Sequence, residues 1–84
     1  MSYSDLQASL VGTSGSTVTV SVHNPQSQGE SARVTISVSL SGGGTQTLTS
    51  PNFAIAAGAT KQLHLSAAGP IASITDGPTP IEPL

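Results

Sequence analysis

His23 and His64 are the only side chains of this chain that could serve as a base near neutral pH. Both fall on the polar side of alternating segments, "TVTVSVH" and "TKQLHLS", where a structural or solvated role is the ordinary one. Zinc takes three or four His, Cys or carboxylate ligands, and two histidines with no cysteine fall short of that set. Calcium prefers clustered carboxylates, whereas Asp5, Glu30, Asp76 and Glu82 are widely separated and form no D-x-D run. Serine is abundant, yet no G-x-S-x-G elbow frames one as a nucleophile. The glycines of "SGGGT" precede neither a lysine nor a helix, so they read as a hairpin tip and not as a phosphate cradle. The chain is therefore expected to be no enzyme, with no catalytic residue, no metal and no cofactor.

Composition narrows the partners further. Charged residues make up 7% of the 84 residues, against about 25% in an ordinary soluble domain. Arg33 and Lys61 are the only basic side chains and the net charge is −2. Each phosphate contact normally takes one Lys or Arg, so nucleic acid is not expected as a partner. The same shortage removes the polybasic route to anionic membranes, and no apolar run approaches the roughly 20 residues of a spanning helix. The aromatic residues are Tyr3 and Phe53, too few for a platform that stacks sugars or bases. Phe53 reads as core. Tyr3, in a polar N-terminal segment, is either frayed or a contact residue at an interface, where tyrosine is enriched.

Without cysteine there is no disulfide framework and no thiolate site. "MSYSDLQASLVG" has neither a basic n-region nor a continuous apolar h-region. If Met1 is the native start, the chain is made and kept in the cytoplasm until lysis or assembly. If it is not, the chain could come from a longer secreted protein.

The elements that would carry these groups are strands. "TVTVSVH" sets Val18, Val20 and Val22 on one side and Thr17, Thr19, Ser21 and His23 on the other, a period of two. "ARVTISVSLS" repeats it with Val34, Ile36, Val38 and Leu40 against Arg33, Thr35, Ser37 and Ser39. Between them "NPQSQGE" carries Pro25 and Gly29 and reads as a connection. Further strands are expected around residues 6–11, at a weak segment holding Leu48, at Phe53 and Ile55, at Leu63 and Leu65 after a turn over residues 57–60, and around residues 71–75. Six or seven short strands with frequent turn signals and no helical period predict an all-β antiparallel sandwich.

After Gly69 the character changes, with Pro70, Pro78, Pro80 and Pro83 in "GPIASITDGPTPIEPL". Proline cannot donate to a sheet ladder, so the last eight residues should be extended and not a central strand. The expected division is a sandwich over residues 1–76 and an extended C-terminal tail or arm over residues 77–84. Read as an arm, Pro78, Pro80, Ile81 and Leu84 would contact a neighbouring subunit, together with Tyr3 and Leu6 from the other end of the chain. Read as an ordinary terminus, the segment is loose.

"TVTVSVHNPQSQGESARVTISVSLSGG" followed by "FAIAAGATKQLHLSA" resembles the CARDB-like and related bacterial immunoglobulin-like modules over roughly residues 17–67. Asn24 stands where those modules place a turn asparagine, Ala32 leads the next strand, and residues 58–60 form the turn that opens a late one. The acidic segment that often ends the CARDB version is missing, so the resemblance carries no calcium site over to this chain. Modules of this kind serve as spacers and adhesion units in bacterial surface proteins, and as decoration or cement proteins on the heads of tailed bacteriophages. The short, Met-initiated chain looks like the second kind. What that resemblance implies is a capsid decoration protein on the virion surface, made in the host cytoplasm. Its partners would be the major capsid protein or another virion protein, and further copies of itself in an oligomer or array. The alternative it implies is a cell-surface spacer or adhesion module, with glycan contacts through loops at residues 24–30 and 42–46.

Overall fold

A computed structural model of the chain describes residues 6–84. Seven strands follow one another: β1 (Gln7–Ser14), β2 (Thr17–His23), β3 (Glu30–Leu40), β4 (Thr45–Thr49), β5 (Phe53–Ile55), β6 (Thr60–Ser66) and β7 (Ile71–Ile81). No helix occurs among the described residues. The strands form two antiparallel sheets, as the alternating sequence requires. One has the order β1-β2-β6; in the other β3 pairs with β4, β5 and β7.

β2 and β3 are the centres of the two sheets because their alternation is unbroken. Val18, Val20 and Val22 of β2 face Val34, Ile36 and Val38 of β3 across the sandwich, all fully or almost fully buried. Leu48, Phe53, Ile55 and Leu65 close this core from the flanking strands. Branched side chains at alternate positions satisfy both the pleat and the core, so local preference and burial agree.

Hydrogen bonds beyond the strand ends fix which way each backbone turns. Ala67 N donates to Ser16 O (2.8 Å) and Asn24 N to Ala59 O (2.9 Å) at the two ends of the β2–β6 ladder. Even-numbered residues of β2 therefore bond to β6 and odd-numbered ones to β1, because both polar groups of an antiparallel residue point to the same neighbour. In the second sheet Leu40 N donates to Gly44 O (3.0 Å) and Ser50 N to Val34 O (2.8 Å). Even-numbered residues of β3 thus bond along the side that holds β4 and, at its start, β5. Odd-numbered residues bond to β7, whose ladder Ser41 extends by donating to Pro70 O at 2.9 Å.

Two strands differ from the expectation. β1 continues to Ser14 because an irregularity at Val11, between the pairs Leu10↔Val20 and Gly12↔Thr19, absorbs one residue and breaks the alternation. β7 does not stop near Thr75: it passes through Gly77 and Pro78 to Ile81, so residues 77–81 belong to the sheet. Gly77 makes this passage possible. Its φ is +88°, and a Cβ there would lie 2.9 Å from Thr35 O and 3.2 Å from Ile36 Cα. The Gly77–Pro78 peptide is cis, and the two residues stand opposite the single Ile36. Pro80 is tolerated because it faces the even-numbered Val34, which bonds to the other side, and its missing N–H falls on the open edge.

Candidate interaction surfaces

Alternation that buries one face of each sheet leaves the other to solvent, and here that face is made of hydroxyls. Across β4, β3 and β7 the register aligns Thr49, Thr35 and Thr79 on one rung, Thr47, Ser37 and Asp76 on the next, and Thr45, Ser39 and Ser73 on a third. The flanking members of each rung are exposed and the β3 members half-buried. Ser37 Oγ and Thr47 Oγ1 are 3.2 Å apart and share a hydrogen bond. Short side chains on paired strands are held by the backbone, so this surface is positioned with little rotamer entropy left to lose.

On the outer face of the first sheet, each histidine is engaged by a threonine of the neighbouring strand. Thr19 Oγ1 lies 3.0 Å from His64 Nδ1, and Thr60 Oγ1 lies 3.0 Å from His23 Nδ1. These are the ladder pairs Thr19↔His64 and His23↔Thr60, so the two rings occupy separate rungs. Among the described residues no three of His, Cys, Asp or Glu gather as a metal site would require.

Asn24 has a different place from the one its loop context suggests. It is completely buried. Its Nδ2 donates to Gln28 O at 2.9 Å and approaches Ile55 O and Ala56 O at 3.3 Å, while Oδ1 accepts from Gln26 N at 3.0 Å. Its backbone O also accepts from Gly58 N at 2.8 Å. One carboxamide thus ties the β2–β3 connection to the β5–β6 turn. Beside it lies a wide-open depression of about 530 Å³, lined by Gly29, Glu30, Ser31, Ala54, Ile55 and Ala56. The Glu30 carboxylate there accepts a hydrogen bond from Gln26 Nε2 at 2.5 Å.

The C-terminal segment is tied down after β7 ends. Arg33 Nε donates to Glu82 O at 3.0 Å; Leu84 N donates to Asn52 Oδ1 at 2.8 Å, and Asn52 Nδ2 donates back to Leu84 O at 3.4 Å. The backbone of Leu84 is held while its side chain is 91% exposed.

Of the residues expected to meet a partner, Pro78, Pro80 and Ile81 are half-buried in β7 and Leu84 projects into solvent. Leu6 is a correction: it is 4% exposed and lies in the core cluster, because the chain entering β1 turns it inward. Tyr3 lies outside the described residues. Pro78, Pro80, Ile81 and Leu84 share the course of one strand and its extension. The sequence reading missed Arg33 and Asn52 as the groups that hold this segment, and Leu10 and Val11 as exposed apolar residues, 43% and 54% exposed. An asparagine next to a strand break was a weak sign for Asn52; nothing in the alternation marked Val11 as an extra residue. No family, no curated protein and no solved structure matches the chain, and what stands is its architecture: an all-β sandwich of seven strands in two antiparallel sheets.

Proposed function

We propose that this chain is a non-enzymatic structural protein that decorates the capsid of a bacteriophage, binding the head surface and bridging neighbouring capsomers. The observation that carries the reading is the hydroxyl face of β4, β3 and β7, where Asp76 is the only charged member of three aligned rungs. A hydroxyl donates and accepts, so such a face can meet donors or acceptors on another protein. With few charges it also packs beside further copies of itself without like-charge repulsion. The resemblance to immunoglobulin-like decoration modules supports the same reading at the level of fold, and a fold hosts many functions.

The test is co-sedimentation of the purified protein with undecorated phage heads. The expected result is saturable binding that Ser37→Lys together with Thr47→Lys abolishes and that deletion of residues 82–84 weakens. Deletion from residue 77 is unsuitable because it removes part of β7. Failure to sediment with heads, or binding unchanged by the lysine pair and by the truncation, would overturn the reading. The second reading, a cell-surface spacer that contacts glycan, is favoured by the exposed hairpin tip at residues 42–45 and by exposed residues 25 and 27–29 of the β2–β3 connection; Asn24 of that connection is committed to internal bonds.

A further inference from the structure

A two-sheet sandwich has open edges, and in this molecule they are guarded unequally. An unpaired strand edge is a template for another strand unless prolines, inward-pointing charges, bulges or short length blunt it. β7 carries Pro78 and Pro80 and several register shifts. β6 carries Lys61 opposite the buried Val22, a charge at an inward position. β4 and β5 have five and three residues and are separated by Pro51. β1 has eight residues, no proline and no charge, and its one irregularity, at Val11, leaves residues 7–10 in regular register.

Because odd-numbered residues of β2 bond to β1, Gln7 and Ser9 are engaged by His23 and Ser21. The N–H and C=O groups of Ala8 and Leu10 consequently point outward from the sheet. Their side chains occupy the inward register, opposite Val22 and Val20, and Leu10 is left 43% exposed at the rim of the core.

We infer that β1 is a self-pairing edge: two copies of this chain join antiparallel about a two-fold axis at Ser9. This places Ala8 of each copy against Leu10 of the other, with both backbone bonds of each pair made, and turns two three-stranded sheets into one of six strands. The uncharged strand is self-complementary, since antiparallel pairing brings no like charges together. Leu10 of each copy covers its rim against Ala8 of the other, and Val11 lies opposite the Gln7 stem. The irregularity at Val11 ends the pairing, and a single such edge per copy makes the contact isologous and closed at the dimer. So short an interface belongs to the weak class, with Kd on the order of 100 µM. The inference is independent of the capsid reading.

The test is sedimentation equilibrium of the whole chain up to about 1 mM, a range that spans weak association, with amide exchange followed by NMR. The expected result is a monomer–dimer equilibrium in which the Ala8 and Leu10 amides become protected as concentration rises. Ala8→Pro removes an outward donor, and Leu10→Lys places a charge beside the axis, opposite Ala8 of the other copy; each should weaken the dimer tenfold or more, while Gln62→Lys on the β6 edge leaves it unchanged. If Ala8→Pro does not fold, Leu10→Lys and the exchange pattern decide. A monomer throughout the range, a dimer unaffected by Leu10→Lys, or protection that appears elsewhere than at Ala8 and Leu10 would overturn it.

Discussion

The carboxamide of Asn52 holds the backbone of Leu84 as a neighbouring strand would, accepting from its N–H at 2.8 Å and donating to its C=O at 3.4 Å. Both groups are exposed, so water can replace either bond at little loss. Asn52→Ala should therefore change global stability by no more than about 0.5 kcal/mol, while the Leu84 amide loses its protection in hydrogen exchange. Retained protection at Leu84 would show that something other than Asn52 holds the segment.

Asn24 should behave in the opposite way. Removing its buried carboxamide in Asn24→Ala strips the Gln28, Ile55 and Ala56 carbonyls of a shared donor. Chemical denaturation should show a loss of roughly 1–3 kcal/mol, the penalty of leaving buried polar groups unpaired. Asn24→Asp should be worse than alanine, because it turns an anionic oxygen toward those same carbonyls. A tolerated aspartate would contradict the orientation of the side chain.

Three glycines give a graded series. Gly77→Ala meets Thr35 O at 2.9 Å and must also hold φ +88°, so it suffers both a clash and a strained backbone. Gly43→Ala has φ +103° but open space, and bears the strain alone. Gly12→Ala has neither and should fall within about 0.5 kcal/mol of the parent. The expected order of melting temperatures is Gly12→Ala, Gly43→Ala, Gly77→Ala from highest to lowest, with strain at each positive-φ site worth about 1–3 kcal/mol. A Gly77→Ala variant as stable as Gly12→Ala would contradict the close passage of β7 over β3.

Ser50 completes the β3 ladder where β4 has ended. Its N–H donates to Val34 O at 2.8 Å, and its Oγ accepts from Val34 N at 2.9 Å in place of a backbone carbonyl, then donates to Pro51 O at 3.0 Å. Ser50→Ala leaves the buried Val34 N–H without that acceptor. Denaturant titration should register a loss of about 1–3 kcal/mol, and Ser50→Thr, which keeps the hydroxyl, should lose less.

The parts of this fold that were legible in the sequence are those where one residue type repeats on one face. β2 and β3 announce themselves because Val18, Val20 and Val22, and Val34, Ile36 and Val38, never leave the inward register. β1 was read too short because Val11 is an inserted residue, and a period-two pattern cannot count across an insertion. β7 was read too short for a different reason. Proline argues against a strand only where its N–H would be needed, and whether Pro80 faces a neighbour or open solvent depends on a register that one strand alone does not carry. Asn24 ahead of Pro25 signals a turn through its Oδ1 bond to Gln26. Its three carbonyl contacts come from segments that only tertiary structure brings near. The hydroxyl face was visible as a Ser/Thr surplus, but its alignment into rungs required the pairing of β3 with both β4 and β7.

The central claim, that this sandwich works as a structural protein on a capsid, is tested most directly by intact-mass and peptide mass spectrometry of native particles purified from the source. Peptides of this chain should co-purify with particles at a copy number comparable to that of the capsid protein. Peptides that run on past Met1 or Leu84 into a longer secreted polypeptide, or particles that lack the chain altogether, would contradict it.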